Sequence, residues 1–278
     1  LNTNFRDRHE NVIIANMFRQ DVPVLGHNIQ FSAIYREDKA GSHGQHYDQN
    51  GFLVRPASIG DERPKNLRTT YLGFNTDGHI GRLNTTASFY HVFGSESHNP
   101  IAGNRTDISA QMAALELSYD IDWYRVRGSF FWASGDSKPA NDKATGFDAI
   151  FDVPNFAGGD LSYWQRQGIP LIGGGGVALV NRLSLLPNML AGKEEGQSNF
   201  VNPGLFLYNL GIDVEVTPEL KLITNASYLR FHHGEPLELV RQDGSIDVEI
   251  GYDLSCGFLY RTFLNNNVQI WGGVSSLI

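Results

Sequence analysis

Hydrophobic and polar residues alternate with period two along most of the chain, in runs of about ten residues, so the pattern predicts strands rather than helices. The clearest run is Ile246 to Tyr260. Ile246, Val248, Ile250, Tyr252, Leu254, Cys256, Phe258 and Tyr260 fall on one face, and Asp247, Glu249, Asp253 and Ser255 on the other. Gly204 to Val216 repeats the alternation, as does Tyr124 to Trp132, where Tyr124, Val126, Phe130 and Trp132 oppose Arg125, Arg127 and Ser129. Weaker versions run through Val12–Phe18, Asn28–Arg36, Leu67–Asn75, Leu83–Phe93, Ser109–Tyr119, Leu220–Phe231 and Val268–Val274. Ten strands are therefore expected.

The connections between them alternate between short and long. Short turns are expected at Leu25-Gly26-His27, Asp77-Gly78-His79, Asp120-Ile121-Asp122, Thr217-Pro218-Glu219 and Asn265-Asn266-Asn267, all rich in residues that suit tight hairpins. Long ones cover roughly 38–66, 94–107, 135–203 and 233–244. Such sorting is expected of an up-and-down antiparallel barrel of the bacterial outer membrane, with tight turns on one side and long loops on the other. In hydrocarbon an unpaired peptide group costs several kcal/mol, so strands span only when the sheet closes on itself. Ten strands would close into a narrow barrel filled by side chains, whereas these polar faces are rich in Gly, Ser, Asn and charge. The expectation is a single barrel domain over residues 1–278, part of a larger barrel, with 135–203 as a long inserted loop.

Composition narrows the classes. The 278 residues carry 22 Lys plus Arg against 30 Asp plus Glu, a net charge of −8, which argues against a nucleic-acid partner. The single Cys256 excludes an intrachain disulfide framework. The charge-free windows Gln197–Ile212 and Thr262–Ile278 hold too many Asn, Gln, Ser and Gly for a spanning helix. The opening Leu1-Asn2-Thr3-Asn4 lacks a signal-peptide pattern, which reads as a mature or truncated chain.

Several ordered motifs fall within the long insertion: Gly146-Phe147-Asp148, Pro154-Asn155-Phe156-Ala157-Gly158-Gly159, Trp164-Gln165-Arg166-Gln167-Gly168-Ile169, Ser184-Leu185-Leu186-Pro187 and Glu195-Gly196-Gln197-Ser198-Asn199-Phe200-Val201-Asn202-Pro203-Gly204-Leu205. A strand and the Thr217-Pro218 turn follow. Over roughly residues 140–232, and more loosely over Asn11–Glu37 with its Phe18-Arg19-Gln20-Asp21 stretch, the chain resembles the alginate-export family of bacterial outer-membrane barrels. That resemblance implies a barrel of about eighteen strands that passes an anionic polysaccharide or another solute, with the lipid bilayer and lipopolysaccharide around it and periplasmic or outer-membrane proteins as further partners. Export of alginate itself would need a strongly cationic lumen.

The polar faces give candidate pore-lining residues of both signs: Arg36, Arg125, Arg127, Lys221 and Arg261 with Glu116, Asp213, Glu215, Asp247, Glu249 and Asp253. Arg125 and Arg127 lie across a three-residue turn from Glu116, so their faces are expected to neutralise one another, while paired Arg on alternate positions is expected to leave some guanidinium donors free. The insertion supplies candidate constriction residues Phe147, Asp148, Phe156, Trp164, Arg166, Gln167, Asn199 and Asn202. Aromatics this dense do not suit a floppy linker, so the segment is expected to fold into the lumen or over its mouth.

Enzymatic signatures are missing. No G-x-S-x-G, H-E-x-x-H or phosphate-loop motif occurs. His91 near Ser88 is the one candidate for a barrel hydrolase, and His43, His46 and Asp48 or His232-His233 for weak metal ligation. Asp136, Asn141, Asp142 and Asp148 offer oxygen ligands for calcium, without EF-hand spacing. No cofactor is expected. The function read from the sequence is an outer-membrane channel for polar or anionic solutes, with 135–203 as constriction or gate. Alternatives are a non-conducting barrel that sheathes a partner protein, and a barrel enzyme or soluble all-β binding protein.

Overall fold

The computed structural model describes residues 10–22, 26–39, 65–149, 156–163, 169–170, 176–177, 198–262 and 268–278. The chain is all-β. Its long strands are β1 (Glu10–Val22), β2 (His27–Asp38), β3 (Leu67–Ile80), β4 (Leu83–Glu96), β5 (Thr106–Ile121) and β6 (Tyr124–Ala133). Three two-residue strands follow, β7 (Lys143–Ala144), β8 (Ile169–Pro170) and β9 (Gly176–Val177), and then the long β10 (Leu205–Glu215), β11 (Leu220–Arg230), β12 (Glu249–Arg261) and β13 (Gln269–Leu277). A seven-residue helix, α1 (Glu235–Arg241), caps the β11–β12 connection.

The long strands pair antiparallel in chain order, β1-β2-β3-β4-β5-β6-β10-β11-β12-β13, while β7 adds to β5 in parallel and β8 pairs with β9 apart. Alternation dictates this outcome, because each strand has one apolar row and can satisfy its backbone only against its neighbours. The sheet is not closed: β1 and β13 stand at opposite edges.

All ten expected strands form, and two hairpin turns move. Strand β3 runs on through Gly78 to Ile80, and its turn is Gly81-Arg82, with Gly81 at φ 63°. The next turn is Asp122-Trp123, with Asp122 at φ 46°. Asp and Asn tolerate the left-handed region that tight hairpins need, and Gly adopts it freely.

Burial is inverted relative to a water-soluble sheet. In β10 the exposed positions are Tyr208, Leu210 and Ile212, with Leu210 70% and Ile212 45% accessible, whereas Asn209 and Asp213 are 3% and 6% accessible. The same holds in β12, where Tyr252, Leu254 and Phe258 are exposed and Asp253 and Ser255 are buried. We call the polar, buried side the inward face, since the 134–149, 156–163 and 198–204 segments pack on it. Those segments and the loop-side ends of the strands enclose the apolar core: Leu67, Tyr71, Val92, Ile108, Phe131, Leu205, Leu207 and Leu229 from the sheet meet Phe147, Ala157, Phe200 and Val201 from the insertion.

The outward face carries an aromatic row near the loop side. Phe130 and Tyr208 lie 5.3 Å apart, Tyr208 and Tyr228 6.4 Å, Tyr228 and Tyr252 5.3 Å. Trp132 stacks on Phe206 one step further out. Outward apolar positions of β10 run from Phe206 to Val214, about 26 Å along a strand at ~3.3 Å per residue.

Candidate functional site

The inward face has two zones. At the loop side the insertion is fixed by buried polar groups. Arg36 is 1% exposed, ion-paired to Glu10 at 2.8 Å and Asp38 at 3.6 Å, and it donates to Ser198 Oγ. Lys65 and Glu96 form a buried pair, and Glu96 also accepts from Asn99 Nδ2 and Thr106 Oγ1. Tyr71 Oη donates to the Asp148 carbonyl at 2.8 Å, and Asp148 Oδ2 accepts from the Asn199 amide at 2.7 Å. Burial pushes the Asp148 carboxyl up to about 7, against the lowering pull of that amide and of the Arg36 and Lys65 charges. Asn202 is fully buried and donates to the Phe147 and Asn199 carbonyls.

This zone corrects part of the sequence reading. Arg36 lines no wet surface, because its guanidinium is spent on two carboxylates and a loop hydroxyl. Asp148 and Asn202 are equally buried, and Asn199 turns its side chain to Asn99 and Val201. Phe147 stands edge-on to Tyr71 at 6.1 Å. Phe147, Asp148, Asn199 and Asn202 fasten the insertion to the wall rather than line an opening.

Further along the face, residues 156–163 cross the strands. Phe156 lies 6.4 Å from Phe131. Ala157 N donates to Glu116 Oε2 at 3.3 Å, and Gly158 sits over Asn225. Leu161 then rests on Gly257 and Gly273, where a Cβ would come within 2.6 and 2.5 Å of its methyls. This short 3-10 segment therefore reaches from β5 to β13. Trp164, Arg166, Gln167, His43, His46 and Asp48 lie outside the described residues.

On the short-turn side the face carries a charged ladder across five strands. Arg125 pairs with Asp120, which also accepts from Asn84 Nδ2 at 2.8 Å. Arg127 reaches Asp213 at 3.3 Å and donates to Asn225 Oδ1 at 2.6 Å. Lys221 lies 3.1 Å from Asp213 and 3.9 Å from Glu215, and Arg261 3.1 Å from Glu215. Glu116 does not neutralise the arginines, as its sequence position implied; it accepts from Ser129 Oγ at 2.7 Å and from Ala157 N. Nor are the arginine side chains without partners, since registered strands set a carboxylate beside each.

Two candidates leave the face altogether. A register shift between Leu229 and Arg230 makes Glu249 oppose Arg230, and Gly251 adopts φ 127° at that bulge. Glu249 therefore turns outward and accepts from Tyr228 Oη at 2.9 Å, while Asp247 is exposed and accepts from Glu249 N. Asp253, beyond the bulge, stays buried inward. Sequence reading missed Asp120, Asn225, Leu161 and the Gly257–Gly273 cradle. Asp120 was legible: it shares parity with Glu116 and Ser118.

The calcium option falls on geometry. Asp136 accepts from Lys138 N and Asn141 from Lys143 N, and among the described residues no three His, Cys, Asp or Glu converge on a metal-sized site. Burial raises the Asp136 carboxyl above its usual range. His232 accepts from Gly135 N at 2.9 Å, and burial, then His233, hold its pKa below the ordinary value. His91 stacks outward on Phe93, three residues from Ser88 and so on the opposite face.

No family model matches the chain, and no curated protein matches it. Chemically, the inward face offers a wall of paired charges, amides and hydroxyls, partly overlain by a short strap.

Proposed function

We propose that the chain is a wall of a bacterial outer-membrane barrel of the alginate-export type, larger than the ten strands described, that passes polar solutes through a water-filled interior, with the insertion as its constriction. The observation that supports this most is the inverted burial: Leu210, Ile212, Tyr252 and Leu254 face outward while Asp213, Asn209 and Asp253 are buried inward. Water would favour the reverse, whereas a bilayer favours apolar residues outside and polar ones inside. The aromatic row suits the headgroup boundary, where lipopolysaccharide would be the neighbouring lipid. The family resemblance of residues 140–232 supports the same reading.

The strap at 156–163 supports its role as constriction, because it overlies the polar wall at Glu116, Asn225 and Gly257. The same coverage favours a second reading, a plugged barrel that sheathes a periplasmic or outer-membrane partner protein. Planar-bilayer recording of the detergent-purified chain separates them. Single-channel conductance that rises on deleting residues 155–195 is the expected result. Silence from folded protein would favour the sheath, and purification without detergent would sink both.

A further inference from the structure

We infer that Asp213 is the specificity-determining residue of this wall, and that the wall is matched to a neutral, hydroxyl-rich solute of saccharide type rather than to a polyanion. The inference rests on the channel reading above. A path for a polyanion needs guanidinium or ammonium groups left uncovered, because a carboxylate already seated on the cation competes with each passing one. Here every cation of the ladder has a carboxylate beside it: Arg125 has Asp120, Arg127 and Lys221 share Asp213, and Arg261 has Glu215. Counting Glu116 and Asp253 on the same face, the described wall has no positive excess. Next to the ladder stand Ser129, Asn209, Asn225, Ser227 and Ser255, buried and hydrogen-bonded among themselves and to Glu116 and Arg127, a neutral layer whose amides and hydroxyls both donate and accept. That combination matches sugar hydroxyls, which also do both. Asp213 is singled out because one carboxylate, 6% exposed, holds two cations from neighbouring strands. Arg127's other contact, Asn225, is neutral.

The test uses the full chain in planar bilayers under a salt gradient, with block by a neutral gluco-oligosaccharide and by an oligouronate of equal length. The expected native reversal potential is near zero, with the neutral sugar blocking at lower concentration. Asp213→Asn should raise the anion-to-cation permeability ratio about tenfold, since in water one uncovered unit charge about 6 Å from the path favours the anion and disfavours the cation by about threefold each, and should reverse the preference between blockers. Arg127→Gln should move the ratio the other way, and the double variant should return it to the native value. A strongly anion-selective native channel, tighter block by the oligouronate, or an unmoved potential in Asp213→Asn would overturn the inference while leaving the channel reading intact. Folded protein that never conducts removes the channel reading, and this inference with it.

Discussion

The two ends of the inward face are made of the same strands and behave as different materials. On the loop side, charges are buried and matched to fixed partners: Arg36 at 1% exposure holds Glu10, Asp38 and Ser198, and Phe200, Leu205, Leu207 and Leu229 pack around the insertion with almost no accessible surface. On the turn side the pair nearest the turns is open, with Arg125 and Asp120 each 44% exposed, while Arg127 and Asp213 further in are half-buried and buried. Coulomb attraction is strong but costly in the dry zone and weak but nearly free in the wet one. The difference shows that one polar face can fasten a strap at one end and meet water at the other. What separates the ends is whether the insertion covers the charge.

The contrast can be broken first at Arg36. Arg36→Met leaves Glu10 and Asp38 buried without their cation, and unfolding in detergent should show a loss of about 3–5 kcal/mol. Phe200→Ala empties a fully buried site and should cost about 3–5 kcal/mol by the same measurement, through loss of transferred area plus a cavity. Leu161→Ala is expected to cost about 2 kcal/mol and to raise protease cleavage within 156–163, because the strap loses its seat on Gly257 and Gly273.

A pH series sharpens the same comparison. The folded Asp148 carboxyl sits near 7, above its unfolded value of about 3.8, so the folded state holds the proton longer. Stability contributed by this group is therefore full in acid below about pH 4, falls as pH rises towards 7, and is flat above. Asp148→Asn should remove that slope, seen as a midpoint difference between variant and native chain that changes from pH 4 to 7 and then stops. The smallest effect belongs to the wet end. Replacing Arg125 with Ser should cost under about 1 kcal/mol in stability, and the Arg125→Ser, Arg127→Ser pair should shift reversal potential. An unchanged potential would mean that neither side chain meets the ion path.

Much of this was readable from alternation alone. Period two assigns Asp213, Glu215, Arg127 and Asp253 to one face and Leu210, Ile212 and Tyr252 to the other, and the strands place them so. It fails at Glu249, because a bulge changes parity without changing composition; Gly251 at φ 127° was the one local sign. It also cannot distinguish a polar residue that meets water from one buried under another segment. Arg36 and Asn202 look like lining residues in a strand and a loop, and only the fold shows Arg36 beneath the insertion and Asn202 buried within it. The turn at Gly81-Arg82 was displaced for a related reason: Asp77-Gly78-His79 has turn composition, yet β2 pairs His27 with Gly78 and so extends the strand through it.

One pairing sets the order in which the molecule can assemble. Every neighbouring pair of long strands up to β6 is also adjacent in the chain, but β6 meets β10 across residues 134–204. Closing 71 residues instead of the two at Asp122-Trp123 is about five doublings of loop length, or about 3 kcal/mol of extra chain entropy. Hairpins on each side can form rapidly by themselves, and joining the two halves is then the slow, topologically distant step. The strap can seat only when that seam has closed, because its footholds, Glu116 on β5 and Gly273 on β13, lie on opposite sides of it.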